Sequence, residues 1–263
     1  VLILLPPSEG KSVPKRGRSL DLTRLSFAGL RDPRAEVLES LVTLCTTDAG
    51  DGVEKAAAVL GLGRTQHDEV HRNAALRTAP TARADRVYSG VVYEALDLAG
   101  LDAAARRRAT SWLAVVSALF GMVRPADHIP AYRLSGAVSL PGIGNVAAFW
   151  SDRLRPAVQE AAGRGLVVDL RSSTYASFWR PDPDTARRVA TVRVLHEVGG
   201  ERKVVSHFNK ATKGRLVRSL LEDGGTPRTP VRLAEQLRDL GWTVEPGPAG
   251  RHGAALDVVV AEL

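Results

Sequence analysis

The chain opens on a continuous apolar run, residues 1–5, that Pro6-Pro7 stops. A short run without polar alternation predicts a strand covered on both faces. Residues 8–18, with Gly, Pro and several basic side chains, predict a loop. Between 33 and 82 apolar residues recur at helical spacing: Val37, Leu38, Leu41, Leu44, then Val53, Ala57, Leu60. That pattern predicts two or three short helices. Residues 87–92 predict a strand or a strand-to-loop passage. An Ala- and Arg-rich stretch after Asp102 leads into a second apolar run at 112–119, and the turn residues within 121–132 predict an ordered loop. Further on, 149–162 predicts a helix and 165–170 a buried strand. Residues 191–198 and 204–208 alternate as strands around Gly199-Gly200. Helices are predicted over 215–221 and 231–240, and a closing strand over 256–263. There is no clean βαβ repeat, no Gly/Ser linker and no internal repeat. The expectation is one compact mixed α/β (α+β) domain over 1–263.

Composition narrows the class. The 263 residues are 44% hydrophobic and 25% charged, enough to bury a core and too balanced for a disordered chain. One cysteine, Cys45, excludes an internal disulfide and a Cys-rich zinc site. No stretch approaches the 18 or so apolar residues of a membrane span, and the opening lacks the charged region of a signal peptide. A cytoplasmic protein without membrane contact is expected. The net charge of +7 points to anionic partners. However, thirty of the 36 basic residues are arginine and six are lysine, so much of that charge reflects drift towards arginine. The places where lysine persists, among them Lys11, Lys203, Lys210 and Lys213, are therefore more informative than the total.

Several motifs carry candidate chemistry. Ser8-Glu9-Gly10-Lys11-Ser12 ends like a phosphate loop, but Leu5 stands where that loop needs glycine, and Val13-Pro14 opposes the following helix. Lys11 is then either an anion-holding lysine at a strand end or a solvated turn residue. His67 and His71 share a helix face without an evident third ligand, and no metal or cofactor is expected. The strand over 167–170 delivers Arg171, Ser172, Ser173, Thr174 and Tyr175 at its end. These residues read as a ligand site or as a polar run opening a helix. The densest cluster is 206–215, where His207, Asn209, Lys210 and Lys213 suit an anion; on a strand His207 and Asn209 share one face. Leu60-Gly61-Leu62-Gly63 and Leu140-Pro141-Gly142-Ile143-Gly144 each read as a helix end or as the hairpin of a helix-hairpin-helix DNA binder.

Six stretches together resemble the YaaA-like bacterial family: LILLPPSEGK (2–11), VYSGVVYEAL (87–96), SALFGMVRPADHIPAYRL (117–134), Phe149-Trp150, VVDLRSSTYASF (167–178) and VSHFNKATKGRLVRSLL (205–221). They follow the family's order and span nearly the whole chain. The resemblance implies a single mixed α/β domain of unusual architecture. It also implies a cytosolic peroxide-stress protein that limits iron-driven damage and binds DNA. The family's helix-hairpin-helix element would fall on about 53–71, with Leu60, Gly61, Gly63 and Arg64 at the DNA. Two departures stand out. Ser8-Glu9-Gly10-Lys11 replaces an alanine–lysine pair of the best-known branch, and His207-Phe208-Asn209-Lys210 replaces a tyrosine-containing stretch. Both leave room for a specialised activity.

Two function classes follow. One is a DNA-associated stress protein that grips phosphate with little sequence preference. The other is an enzyme acting on a small anionic or nucleobase-like substrate. In its pocket Arg124 and Arg171 would hold the anion, with Ser8, Tyr132, Ser172, Ser173, Tyr175 and Asn209 lining it. Lys11, Tyr88, His207, Lys210 and Lys213 would supply the chemistry, with His207 or Lys11 exchanging protons and Lys210 or Lys213 as nucleophile. One Cys and one Met offer little for sulfur scavenging of peroxide.

Overall fold

The apolar run at the chain's start forms the middle of the main sheet. The structure, a computed structural model, describes residues 1–46, 51–198, 201–203, 206–248 and 250–261, with the backbone alone at 198, 201–203, 206, 207 and 261. After β1 (Leu2–Leu5) come α1 (Arg31–Cys45), α2 (Gly52–Leu60) and α3 (Asp68–Ala74). The chain continues through β2 (Ala82–Arg83), α4 (Ala84–Val87), α5 (Val91–Leu96) and α6 (Ala103–Trp112) into β3 (Leu113–Ser117) and β4 (Gly121–Val123). Short pairs β5 (His128–Ile129), β6 (Ser139–Leu140) and β7 (Gly144–Asn145) precede α7 (Val146–Ala162) and β8 (Val167–Asp169). Then follow α8 (Ser173–Ala176), α9 (Pro183–Ala186), β9 (Val189–Val198), β10 (Glu201–Lys203), α10 (Ser206–Asp223), α11 (Pro230–Asp239), β11 (Thr243–Pro246) and β12 (Ala254–Ala261).

The main sheet runs β11-β12-β9-β8-β1-β3-β4, with β10 added to β9. Strands β3, β1, β8, β9 and β12 are mutually parallel, and β4, β10 and β11 are antiparallel additions. All four residues of β1 are fully buried, so both faces of the sheet are covered there. From β1 the chain passes through six helices to β3 on one side and returns through α7 to β8 on the other. The carboxyl ends of β1 and β8 therefore flank a topological switch point, where α/β proteins bind ligands.

Most predicted elements are present; the exceptions have local causes. Residues 87–92 form no strand: Val87 ends α4, Gly90 turns at φ 94°, and Val91 starts α5. The region 121–132 is not one loop but two short strands, β4 and β5. Of the strand expected over 204–208, residues 204 and 205 lie outside the described residues and 206–208 open α10, so the cluster that follows has helical spacing. Strand β11 has no counterpart in the hydropathy pattern, since only Val244 of its four residues is buried.

The turn between β3 and β4 shows how tightly the core is set. Buried Arg34 of α1 donates from Nε to the Phe120 carbonyl (2.9 Å) and from Nη2 to that of Met122 (2.7 Å). The Trp150 indole donates to the Ala118 carbonyl (2.8 Å). Gly121 sits at φ 68°, and a Cβ there would stand 2.7 Å from the Trp150 ring. Gly121→Ala should lower unfolding free energy in urea by about 2–4 kcal/mol, combining left-handed strain with overpacking. Gly142→Ala, at φ 71° with open space around it, should lose only about 1 kcal/mol.

Candidate functional site

The loop leaving β1 and the loop leaving β8 meet in a small pocket of about 110 Å³. Pro7, Ser8, Glu9 and Lys11 form one wall, Ser172, Thr174 and Tyr175 another, and Arg133, Leu134 and Ser135 a third. The Lys11 loop is fastened to its neighbour. Lys11 bridges to Tyr88, Ser12 N–H donates to the Val87 carbonyl (2.9 Å), and Ser89 N–H donates to Ser8 Oγ (3.1 Å).

Lys11 Nζ donates to the Ser8 carbonyl at 2.8 Å and lies 4.1 Å from the centre of the Tyr132 ring. Desolvation brings its pKa down to about 7. Arg133 pushes the same way, while Glu69 on α3 and neighbouring Glu9 oppose. Beneath the amine, buried hydroxyls form a chain. Phe120 N–H donates to Ser117 Oγ, which lies 2.7 Å from Tyr132 Oη, and that oxygen lies 3.0 Å from Tyr88 Oη. Tyr93 stacks on Tyr88 at 5.5 Å and donates to the Pro6 carbonyl (2.6 Å). All four tyrosines of the chain thus gather around the β1 exit, and burial pushes each phenol above its ordinary pKa.

Arg133 is held by its backbone. The fully buried Asn73 of α3 donates to the Arg133 carbonyl (2.7 Å) and accepts from its N–H (2.9 Å). The guanidinium reaches exposed Glu9 at 3.3 Å, a contact that solvent screening weakens.

The residues expected from the sequence divide. Ser8, Lys11, Ser172 and Tyr175 line the pocket, and Tyr88 and Tyr132 lie beneath its lysine. Exposed Ser173 begins α8 without joining the lining. Arg124 does not belong with them. Its guanidinium caps the Ser111 and Leu113 carbonyls at the start of β3, the opposite sheet edge, because antiparallel β4 carries the chain back there. Arg171 is not free to hold an anion. It is clamped to Asp169 through Nε (2.8 Å) and Nη2 (2.7 Å) and donates to the Tyr175 and Trp179 carbonyls. Burial alone would raise the Asp169 carboxyl, but Arg171 holds it below its ordinary value.

On α10, helical spacing separates residues that a strand would have aligned. Lys213 is turned inward, donating to the Leu170 carbonyl (2.9 Å), and burial lowers its pKa against the pull of Asp169. Asn209 is half-buried and Lys210 exposed. The His207 side chain lies outside the described part of the structure. Arg133, Ser135 and Asn73 were not singled out from the sequence, and Glu9 and Thr174 stood out only as members of longer motifs. Arg133 is hidden among thirty arginines, and adjacency to Tyr132 was its one signal.

Two other surfaces compare. A groove of about 630 Å³ between α11 and the β11–β12 hairpin has mostly small and apolar walls, with Arg187 and Arg238 the charged groups among its described lining residues. At the expected hairpin, α2 ends at Gly61 (φ 66°), Leu62 N–H donates to the Ala57 carbonyl (2.8 Å), and a single 3-10 turn, Arg64–Gln66, precedes α3. That bonding is a helix cap. Gly63 N–H is taken by Gln66 Oε1 (3.2 Å) and is not free for phosphate.

A model of the family described as peroxide stress protein YaaA matches residues 1–246. The chain belongs to this family. A UPF0246 protein of Streptomyces coelicolor is 53% identical over 266 residues, covering 100% of both chains. UPF0246 proteins of Corynebacterium efficiens and Corynebacterium glutamicum are 42% and 38% identical, covering 93% and 99% of this chain and 95% and 100% of their own. Within this YaaA-family protein no described helix is long and apolar enough to cross a membrane.

The desolvated lysine predicts a pH signature. Its folded pKa, about 7, lies below the ordinary 10.5, so the unfolded chain holds the extra proton between those values. Burying Lys11 therefore destabilises fully below pH 7, and the penalty shrinks as pH rises towards 10.5. Lys11→Met should raise the urea midpoint, most at pH 6 and least near pH 10. A gain that does not change with pH would contradict this account.

Proposed function

We propose that this peroxide-stress family member works by binding a small anionic molecule in the pocket between the β1 and β8 exits. One observation carries the reading: Lys11 and Arg133 face the same small polar pocket, and Lys11's direct partners there are carbonyl oxygens. Two cationic side chains brought together at a parallel-sheet switch point suit a carboxylate or phosphate group. Ser8, Ser172, Thr174 and Tyr175 supply hydroxyls to orient it. Arg133 is the permanent charge and Lys11 the titrating one. A volume of about 110 Å³ fits a ligand of several heavy atoms, well below a drug-sized site.

Calorimetric titration with inorganic phosphate, sulfate and succinate tests this reading. At least one should bind at one equivalent at pH 6, with affinity falling as pH rises through 7 and Lys11 loses its proton. Arg133→Met should weaken binding at least about tenfold, the scale of one charge-assisted contact, while Lys210→Met should leave it unchanged. Absence of saturable binding, or equal binding by the Arg133 variant, would overturn the reading.

A second reading is DNA binding at the turn 61–63, supported by the exposure of Gly61 and by Arg64 and His67 beside the adjoining groove. The groove also carries Glu54, which opposes it. Duplex binding should then fall at least tenfold between about 50 and 200 mM salt and weaken again on Arg64→Glu. Indifference to that charge reversal would remove the turn from any DNA interface.

A further inference from the structure

We propose that Lys11 is a nucleophilic amine that forms an imine with a small anionic carbonyl compound, an α-keto acid or a short aldehyde acid. This rests on the anion-pocket reading and goes past it to a reaction class. In the geometry, Nζ donates to two carbonyl oxygens, Ser8 at 2.8 Å and Glu9 at 3.4 Å. A neutral amine has two N–H groups and one lone pair, so these acceptors can take both hydrogens and leave the lone pair for chemistry. The nearby acids are engaged elsewhere: Glu9 with Arg133, and Glu69 with Arg72. The Tyr132 ring walls off one side of the amine, and the Ser8, Ser12 and Ser89 hydrogen bonds fix the loop that carries it. Desolvation supports the assignment, since a pKa near 7 leaves about half the amine neutral at neutral pH.

The steps balance without a cofactor. The Lys11 lone pair attacks the carbonyl carbon, the C=O π pair moves to oxygen, and that oxygen takes up the proton the nitrogen gives up. The resulting carbinolamine hydroxyl leaves as water with one further proton, and the remaining nitrogen lone pair closes the C=N bond. Tyr175 lines the same pocket, and its hydroxyl gives that proton. It recovers one when the iminium nitrogen loses its hydrogen. Arg133 binds the acid group and orients the carbonyl towards Lys11.

The test is reductive trapping of the whole protein with glyoxylate and cyanoborohydride at pH 7, read by intact mass and peptide mapping. Exposed Lys55 and Lys210 in the same chain are internal controls. Lys11 should be modified at least about tenfold faster than either, the advantage expected of a desolvated amine beside a carbonyl-orienting group. Arg133→Met should slow glyoxylate trapping at Lys11 several-fold more than trapping of acetaldehyde, which has no acid group to hold and loses only Arg133's help in keeping the amine neutral. Modification of Lys11 no faster than Lys55 overturns the inference. If phosphate, sulfate or succinate still binds with the Arg133 dependence given above, the anion pocket survives and only the imine chemistry falls; if neither is seen, both fall.

Discussion

Parallel pairing of β1 with β3 on one side and β8 on the other is the constraint on which the site depends. Parallel strands release their chains at the same sheet edge, so loops more than 150 residues apart in sequence meet there. A four-residue strand buried on both faces tolerates little displacement. The Asp169–Arg171 clamp continues that order past the end of β8, fixing the carbonyls that Lys213 and the pocket wall rely on. Arg171 and Lys213 thus shape the site without lining its pocket.

Charge placement follows the same logic. Lys11 sits against an aromatic face with carbonyl partners, whereas Arg133 is steered through its backbone by Asn73 and keeps its guanidinium at the pocket. Desolvating an amine costs stability, and proteins keep such groups chiefly where chemistry uses them.

Much of the architecture was legible because apolar patterning is strong where both faces are buried, as in β1, β8 and α7. It failed where local chemistry overrode pattern. Val204, Val205 and Phe208 imitate a strand in the sequence although Phe208 already belongs to α10, and β11 buries too little to leave a trace. The site was half legible. Lys11, Ser8, Ser172 and Tyr175 stand out because strand-end loops concentrate polar groups. Arg124 misleads because the antiparallel return of β4 carries it to the start of β3, away from the β1 and β8 exits. Arg171 misleads differently: Asp169, two residues earlier at the end of β8, takes its Nε and Nη2, and the Tyr175 and Trp179 carbonyls take further donors. That spacing was visible, but a bare sequence does not say whether an arginine is spoken for.

The gathering of Tyr88, Tyr93, Tyr132 and Tyr175 has a practical consequence. Since these are the only tyrosines in the chain, every phenol in the protein sits beside the Lys11 loop, in contact with the pocket or one ring away from it. Ring resonances from tyrosine-labelled protein would come from this neighbourhood alone. The fold thereby carries its own spectroscopic reporter of the site, with no probe to introduce and no background from elsewhere to subtract.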